Sequence, residues 1–145
     1  MHLSHYNYKT NESFLDFEFI SEGPKGRIRK VVRFSVIQKD VYNLGFGDLD
    51  EVSGEISDTT ITNNKDSQKV LATVALVVND FTFQYPTCYV FAMGSTPART
   101  RLYRMGITNN WHTISKQFDV YGLKNNNWEP FTFRKDYDAF LIRRK

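Results

Sequence analysis

Hydrophobic and polar positions alternate most cleanly near the start of the chain. Phe14–Ser21 and Arg27–Ile37 are two β-rich runs, and Gly23-Pro24-Lys25-Gly26 between them signals a hairpin turn. If Gly23 faces Gly26, the numbers of paired residues sum to 49. Phe17 then faces Val32, Leu15 faces Phe34 and Phe19 faces Lys30, while Asp16 meets Arg33 and Ile20 meets Arg29. One face is mostly apolar and the other charged, as a one-sided antiparallel sheet requires. Arg29 and Arg33 have Asp16 and Glu18 beside them, so they read as a solvated ladder of cross-strand ion pairs.

A second hairpin is expected from Val41–Gly47 and Glu55–Thr62, joined by the acidic loop Asp48–Gly54. The loop lacks the Asp-x-Asx-x-Asx-Gly run and the closing Glu of a calcium loop, so no metal is expected there. Asn64 or Asp66 can cap a helix that follows. Val70, Leu71, Val74, Val77, Val78 and Phe81 repeat at helical spacing up to Tyr85-Pro86, and this stripe is read as core laid on the sheet. Cys88–Met93 is a short continuous apolar run, the pattern of a strand buried on both faces. Gly94-Ser95-Thr96-Pro97 reads as a strand-to-helix turn, with Thr96 as N-cap and Pro97 as the first helical residue. The second helix runs to about Gly106, or more loosely to Gln117. Phe118–Leu123 is a strand, Lys124–Asn127 a turn, and Phe131–Phe133 and Ala139–Ile142 the last extended pieces. The fold expected is α+β, an antiparallel or mixed sheet with two helices on one face, in the order ββββ-α-β-α-ββ.

At 145 residues the chain fits a single domain, 1–145, long enough to build a core without staples. Its 41% hydrophobic and 24% charged content excludes a disordered chain or a coiled coil, and its 15% aromatic content favours strands. The single cysteine, Cys88, excludes a disulfide-stapled scaffold. No apolar run is long enough to span a bilayer and no signal peptide is visible, so a cytoplasmic protein without membrane contact is expected.

The net charge of +3 matters less than its distribution. From Ser95 onward there are ten Lys/Arg against four Asp/Glu, and the remainder carries nine against twelve. Such a dipolar chain can steer a polyanion to one end, pair its own halves, or stack with a second copy as a homo-oligomer.

The candidate anion-binding segment is Gly94-Ser95-Thr96 with Arg99, Arg101, Tyr103 and Arg104. A helix N-terminus offers free amide protons and the positive end of a dipole, and arginine forks match phosphate oxygens. Tyr103 can stack on a base or donate a hydrogen bond. The same arginines can instead be pinned by carboxylates of the acidic hairpin. The turn is neither a Walker loop nor Gly-x-Gly-x-x-Gly. His2, His5 and His112 form no zinc pattern, Cys88 reads as a packed thiol, and no catalytic residue, metal or cofactor can be assigned. Three functions follow. The first is a non-enzymatic module that grips RNA, DNA or another phosphorylated partner through this segment and the basic tail Arg143-Arg144-Lys145. The second is a metal-independent nuclease of the toxin kind using the same arginines. The third is a protein-interaction domain that pairs its acidic and basic surfaces.

The runs Thr62-Asn63-Asn64-Lys65-Asp66-Ser67-Gln68-Lys69-Val70-Leu71-Ala72-Thr73-Val74-Ala75 and Gly94-Ser95-Thr96-Pro97-Ala98-Arg99-Thr100-Arg101-Leu102-Tyr103-Arg104-Met105-Gly106-Ile107 resemble a family of small bacterial proteins of unknown function. Tyr121-Gly122-Leu123 and Trp128-Glu129-Pro130-Phe131 extend the resemblance over nearly the whole chain. It implies a small bacterial cytoplasmic protein, and carries no activity, cofactor or catalytic residue.

Overall fold

A computed structural model describes residues 4–57 and 62–145. An antiparallel meander comes first: β1 (Tyr8–Thr10), β2 (Asp16–Gly23), β3 (Gly26–Gln38) and β4 (Val41–Asp48). Helix α1 (Ser67–Gln84) leads to β5 (Tyr89–Ala92), and α2 (Pro97–Asn109) and α3 (Trp111–Gln117) lead to β6 (Phe118–Lys124). Strands β7 (Asn127–Pro130) and β8 (Ala139–Arg144) complete one eight-stranded sheet in the order β1-β2-β3-β4-β5-β8-β6-β7. Every neighbouring pair is antiparallel except β4 and β5, so the sheet is mixed.

The first hairpin has the register its turn dictates, with Asp16 opposite Arg33, Phe17 opposite Val32 and Gly23 opposite Gly26. Gly26 takes φ +92°, a left-handed value open to glycine at low cost. The charged face forms ion pairs as its pattern implies, Arg29 to Glu18 at 2.6 Å and Arg33 to Asp16 at 2.5 Å. The acidic loop joins them: Glu51 lies 3.6 Å from Arg29 and Glu55 3.1 Å from Arg33. Those carboxylates are therefore spent on β3 and do not reach the arginines of α2.

Several expectations need correction. Among the described residues Val41–Gly47 forms no strand pairing with the expected partner run Glu55–Thr62. Strand β4 pairs with β3 through a tight turn at Asp40 (φ +60°), and only a Leu49–Ile56 bridge follows before Asp58–Ile61, which lie outside the described residues. Neither Asn64 nor Asp66 caps α1 by its side chain. Asp66 Oδ2 accepts instead from the hydroxyls of Tyr6 (2.6 Å) and Ser21 (2.5 Å), while buried Asn64 donates to Gly26 O (2.8 Å) and accepts from Lys25 N–H (2.7 Å). Strand β5 is buried on one face only, with Val90 and Ala92 inside and Tyr89 and Phe91 half-buried. Helix 2 ends at Asn109, and a separate short helix follows. Phe131–Phe133 is not a strand; the extended piece is β7. Among the described residues four strands precede α1, and they include β1, which was not expected.

The helical stripe packs as predicted. Phe81 is fully buried and stacks on Phe34 with ring centroids 3.9 Å apart. Val74, Val78, Tyr103, Ile107 and Ile114 of the three helices face Leu44, Ala92, Phe118 and Ile142 of the strands across one small apolar cavity. Within that apolar layer sits Lys30, only 1% exposed. Its ammonium meets Asp48, directly opposite on β4, at 2.5 Å and donates to Thr62 O at 2.9 Å. Asp48 Oδ2 also accepts the Thr62 N–H (3.0 Å) and hydroxyl (2.6 Å), so the carboxylate is well satisfied.

Removing one partner of such a pair leaves a bare buried charge. Lys30→Met should lower the unfolding free energy by roughly 3–5 kcal/mol, a large share of the about 5–15 kcal/mol typical of a domain. Lys30→Met with Asp48→Leu should recover more than half of the loss in urea titrations. Equal stability of Lys30→Met and the parent would contradict the pairing.

Candidate functional site

Strand β5 ends at Ala92, and the chain turns through Met93-Gly94-Ser95-Thr96 into α2. The turn is built by side chains that hold backbone. Thr96 Oγ1 accepts the Arg99 N–H at 3.2 Å, and Pro97 occupies the first helical position, as predicted. Buried Thr100 accepts the Gly94 N–H at 3.0 Å and donates to Thr96 O at 3.3 Å, which folds the turn back on the helix. A Cβ on Gly94 would sit 2.5 Å from the Thr100 nitrogen, so the close approach requires glycine. Ser95, Thr96, Pro97 and Ala98 remain exposed. The first turn therefore faces solvent; Pro97 has no N–H and Thr96 takes the Arg99 N–H, which leaves the Ala98 amide without an acceptor among the described residues.

A cleft of about 340 Å³ lies in front of this turn, at the carboxyl end of β5. Gly94–Pro97, Thr100, Arg101 and Arg104 form one wall and Asp136-Tyr137-Asp138, the approach to β8, forms the other. Tyr137 fixes that second wall. Its ring covers Gly122, where a Cβ would collide with it, and its hydroxyl donates to Glu129 (3.0 Å) and accepts the Thr132 N–H (3.1 Å). Lys135 is clamped by both Glu129 oxygens at 2.8 Å. The lysine bond holds the Glu129 carboxyl below its usual range, against the opposing effect of desolvation, and Tyr137 adds to the lowering.

The predicted site residues are not all brought together. Gly94, Ser95, Thr96, Arg101 and Arg104 line the cleft. Arg104 is ion-paired with Asp136 across it and donates weakly to Lys135 O at 3.5 Å. Arg101 is exposed and has no hydrogen-bond or ion-pair partner among the described residues. Arg99 is held by the Ser95 hydroxyl at 3.0 Å, beside the cleft. Tyr103 lies on another face of α2 and lines the apolar cavity above the sheet, where burial pushes its hydroxyl up to about 12 although Arg99 pulls it down. Asp136 and Asp138 went unrecognised in the sequence, because a separation of more than thirty residues carries no spacing signal.

The basic tail is at the other end. Strand β8 begins beside the cleft at Ala139 and runs away from it, so Arg143 and Arg144 sit at the opposite end of the strands. Arg144 donates to Asn79 O and Oδ1, both at 2.8 Å, and packs over the Phe118 ring. Arg143 lies over Tyr89. Among the described residues no cluster of three or more metal-ligating side chains forms, and no helix is long and apolar enough to cross a membrane.

Across residues 2–145 the chain matches the model of a family of unknown function, DUF6934, and it belongs to that family. No curated protein and no solved structure matches it.

The Glu129 clamp generates a pH prediction. A depressed carboxyl contributes stability above its ordinary value, and that stability is lost as pH falls through the folded-state value. The parent should therefore lose stability below about pH 4.3, the ordinary glutamate range. Glu129→Gln should be less stable at pH 7 and show a flatter acid limb in melting curves. An unchanged acid limb would show that Glu129 does not hold the wall.

Proposed function

We propose that this protein is a non-enzymatic, cytoplasmic binding module for a compact phosphorylated ligand, taken in the cleft between the α2 N-terminus and Asp136–Asp138. The observation that carries the reading is Arg101, a guanidinium with no partner among the described residues, on the wall that also presents the solvent-facing first turn of α2. Arg101 supplies the bidentate fork, and the amides and hydroxyls of Ser95 and Thr96 supply further donors. Arg104 neutralises Asp136, so that carboxylate does not repel the anion. Asp138 then faces the opposite side of the ligand and suits a hydroxyl or amino donor.

Size and charge favour a compact ligand over a polynucleotide. A nucleic-acid track needs cations along its length, yet Arg143 and Arg144 lie at the opposite end of the sheet and Arg104 is already paired. The nuclease reading asks for a proton-transfer group beside the arginines. Tyr103 is packed in the apolar layer, away from Arg101 and Arg104, so a nuclease would have to use Asp138 on the facing wall as its proton-transfer group.

Calorimetric titration with inorganic phosphate and with a set of small phosphorylated compounds tests the proposal. Saturable binding is expected. Arg101→Ala should weaken it roughly 10- to 150-fold, the range for one charged hydrogen bond of about 1.5–3 kcal/mol, with the melting temperature nearly unchanged. Equal binding by Arg101→Ala would overturn the site. Tight, steeply salt-dependent binding of a short RNA, with no response to phosphate, would overturn the ligand class.

A further inference from the structure

The sheet face turned away from the helices carries an apolar area on its β5-β8-β6-β7 half. Residues directly opposite on neighbouring strands share a face, so three rows cross this half. Arg143 and Asp119 share one row, Phe91, Leu141 and Tyr121 the next, and Ala139, Leu123 and Trp128 the third. Trp128 remains 43% exposed and its ring meets Phe91 edge-on at 6.3 Å. The one anion and one cation of these rows are cross-strand neighbours but form no ion pair. Arg143 turns to Tyr89, donating to its hydroxyl at 3.3 Å, and Asp119 has no partner among the described residues.

We infer that this face is the docking surface for a second copy of the chain. The arrangement is self-complementary about a two-fold axis parallel to the strands and placed between β8 and β6. That operation lays each β6 over the partner's β8 at the same height. Asp119 then meets the second copy's Arg143, and the Phe91–Trp128 ring pair, which lies over the fully buried Ala139, meets the same ring pair of the second copy. Stacked sheets pack in this face-to-face manner with side chains interdigitating. Asp119 and Arg143, which form no ion pair within the described residues, are paired by one symmetry operation, which is what an isologous interface requires.

Other modes of assembly fit less well. The edge strands β1 and β7 hold three and four residues, too short for a stable extension of the sheet. A single-stranded nucleic acid can stack on exposed aromatics but needs a positive track, and these rows are electrically balanced. Four strands roughly 4.8 Å apart, with side-chain rows over roughly 17 Å, give a patch smaller than the about 800 Å² per partner of a standard interface. The dimer is therefore reversible and concentration-dependent.

Sedimentation velocity from micromolar to near-millimolar protein tests this surface independently of the phosphate cleft. The mass should rise from 17.0 kDa towards twice that value. Arg143→Asp alone and Asp119→Arg alone should each weaken association at least about tenfold by opposing like charges. The double variant Asp119→Arg/Arg143→Asp should restore it, and an equimolar mixture of the two single variants should form the mixed dimer. Matching melting curves establish that the variants fold. A parent that stays at 17.0 kDa throughout, or single reversals that associate like the parent, would overturn the inference. So would a short RNA that quenches Trp128 fluorescence while the parent remains monomeric.

Discussion

The packing of α1 across the junction of β4 and β5 is the constraint on which the other features depend. The two strands share only three paired positions, Val41–Tyr89, Tyr42–Val90 and Asn43–Phe91, in the less stable parallel arrangement. So short a seam cannot by itself join the first meander to the β5-β8-β6-β7 half. Helix α1 spans it. Phe81 stacks on Phe34 of the meander and meets Tyr42 at the seam, while Val74 and Val78 reach the cavity shared with Ala92 and Ile142 of the other half. Each fully buried Val or Phe contributes roughly 1.5–3 kcal/mol, so this face outweighs the few hydrogen bonds of the seam. The place of β5 sets the place of the α2 turn, and with it the cleft.

Polar groups then fix what the apolar layer leaves free. Hydrophobic burial is non-directional and would tolerate several paths for the segment between β4 and α1. Lys30 and Asp48 hold Thr62, while Asn64, Ser21, Asp66 and Tyr6 tie the start of α1 to the first hairpin. Each of these bonds has a specific direction and length, so the helix enters at one position. Glu129, Lys135 and Tyr137 serve the same purpose at the second wall of the cleft. The two proposed binding surfaces draw on different parts of this frame. The cleft uses the end of β5, and the docking face uses the side of the sheet remote from the helices.

Local physics was legible in the sequence and long-range placement was not. The β2–β3 register followed from one turn and a period-two pattern, and the Thr96-Pro97 cap from side-chain chemistry within four residues. Lys124–Asn127 was readable as a turn because asparagine tolerates left-handed backbone, and Asn125 and Asn126 take φ +51° and +63°. By contrast, β1 is three residues long and β7 ends in proline, so neither carries a strand pattern strong enough to read. Lys30 stood in an apolar row as an apparent misfit; only the β3–β4 register, hidden in a turn without glycine or proline, shows its partner. The continuous apolar run at 88–93 implied burial on both faces, whereas Tyr89 and Phe91 belong to the open side. Within the candidate site, the arginines and their cap were visible, but the carboxylates opposite them arrive through the connection between β7 and β8.

Native-state hydrogen exchange tests the central claim that α1 joins the two halves of the sheet into one cooperative unit. Amides paired across β4 and β5, together with those in the middle of α1, should exchange only through global unfolding, with a free energy equal to that from urea denaturation. Exchange of the β5-β8-β6-β7 half at a distinctly lower free energy than the meander would contradict the account.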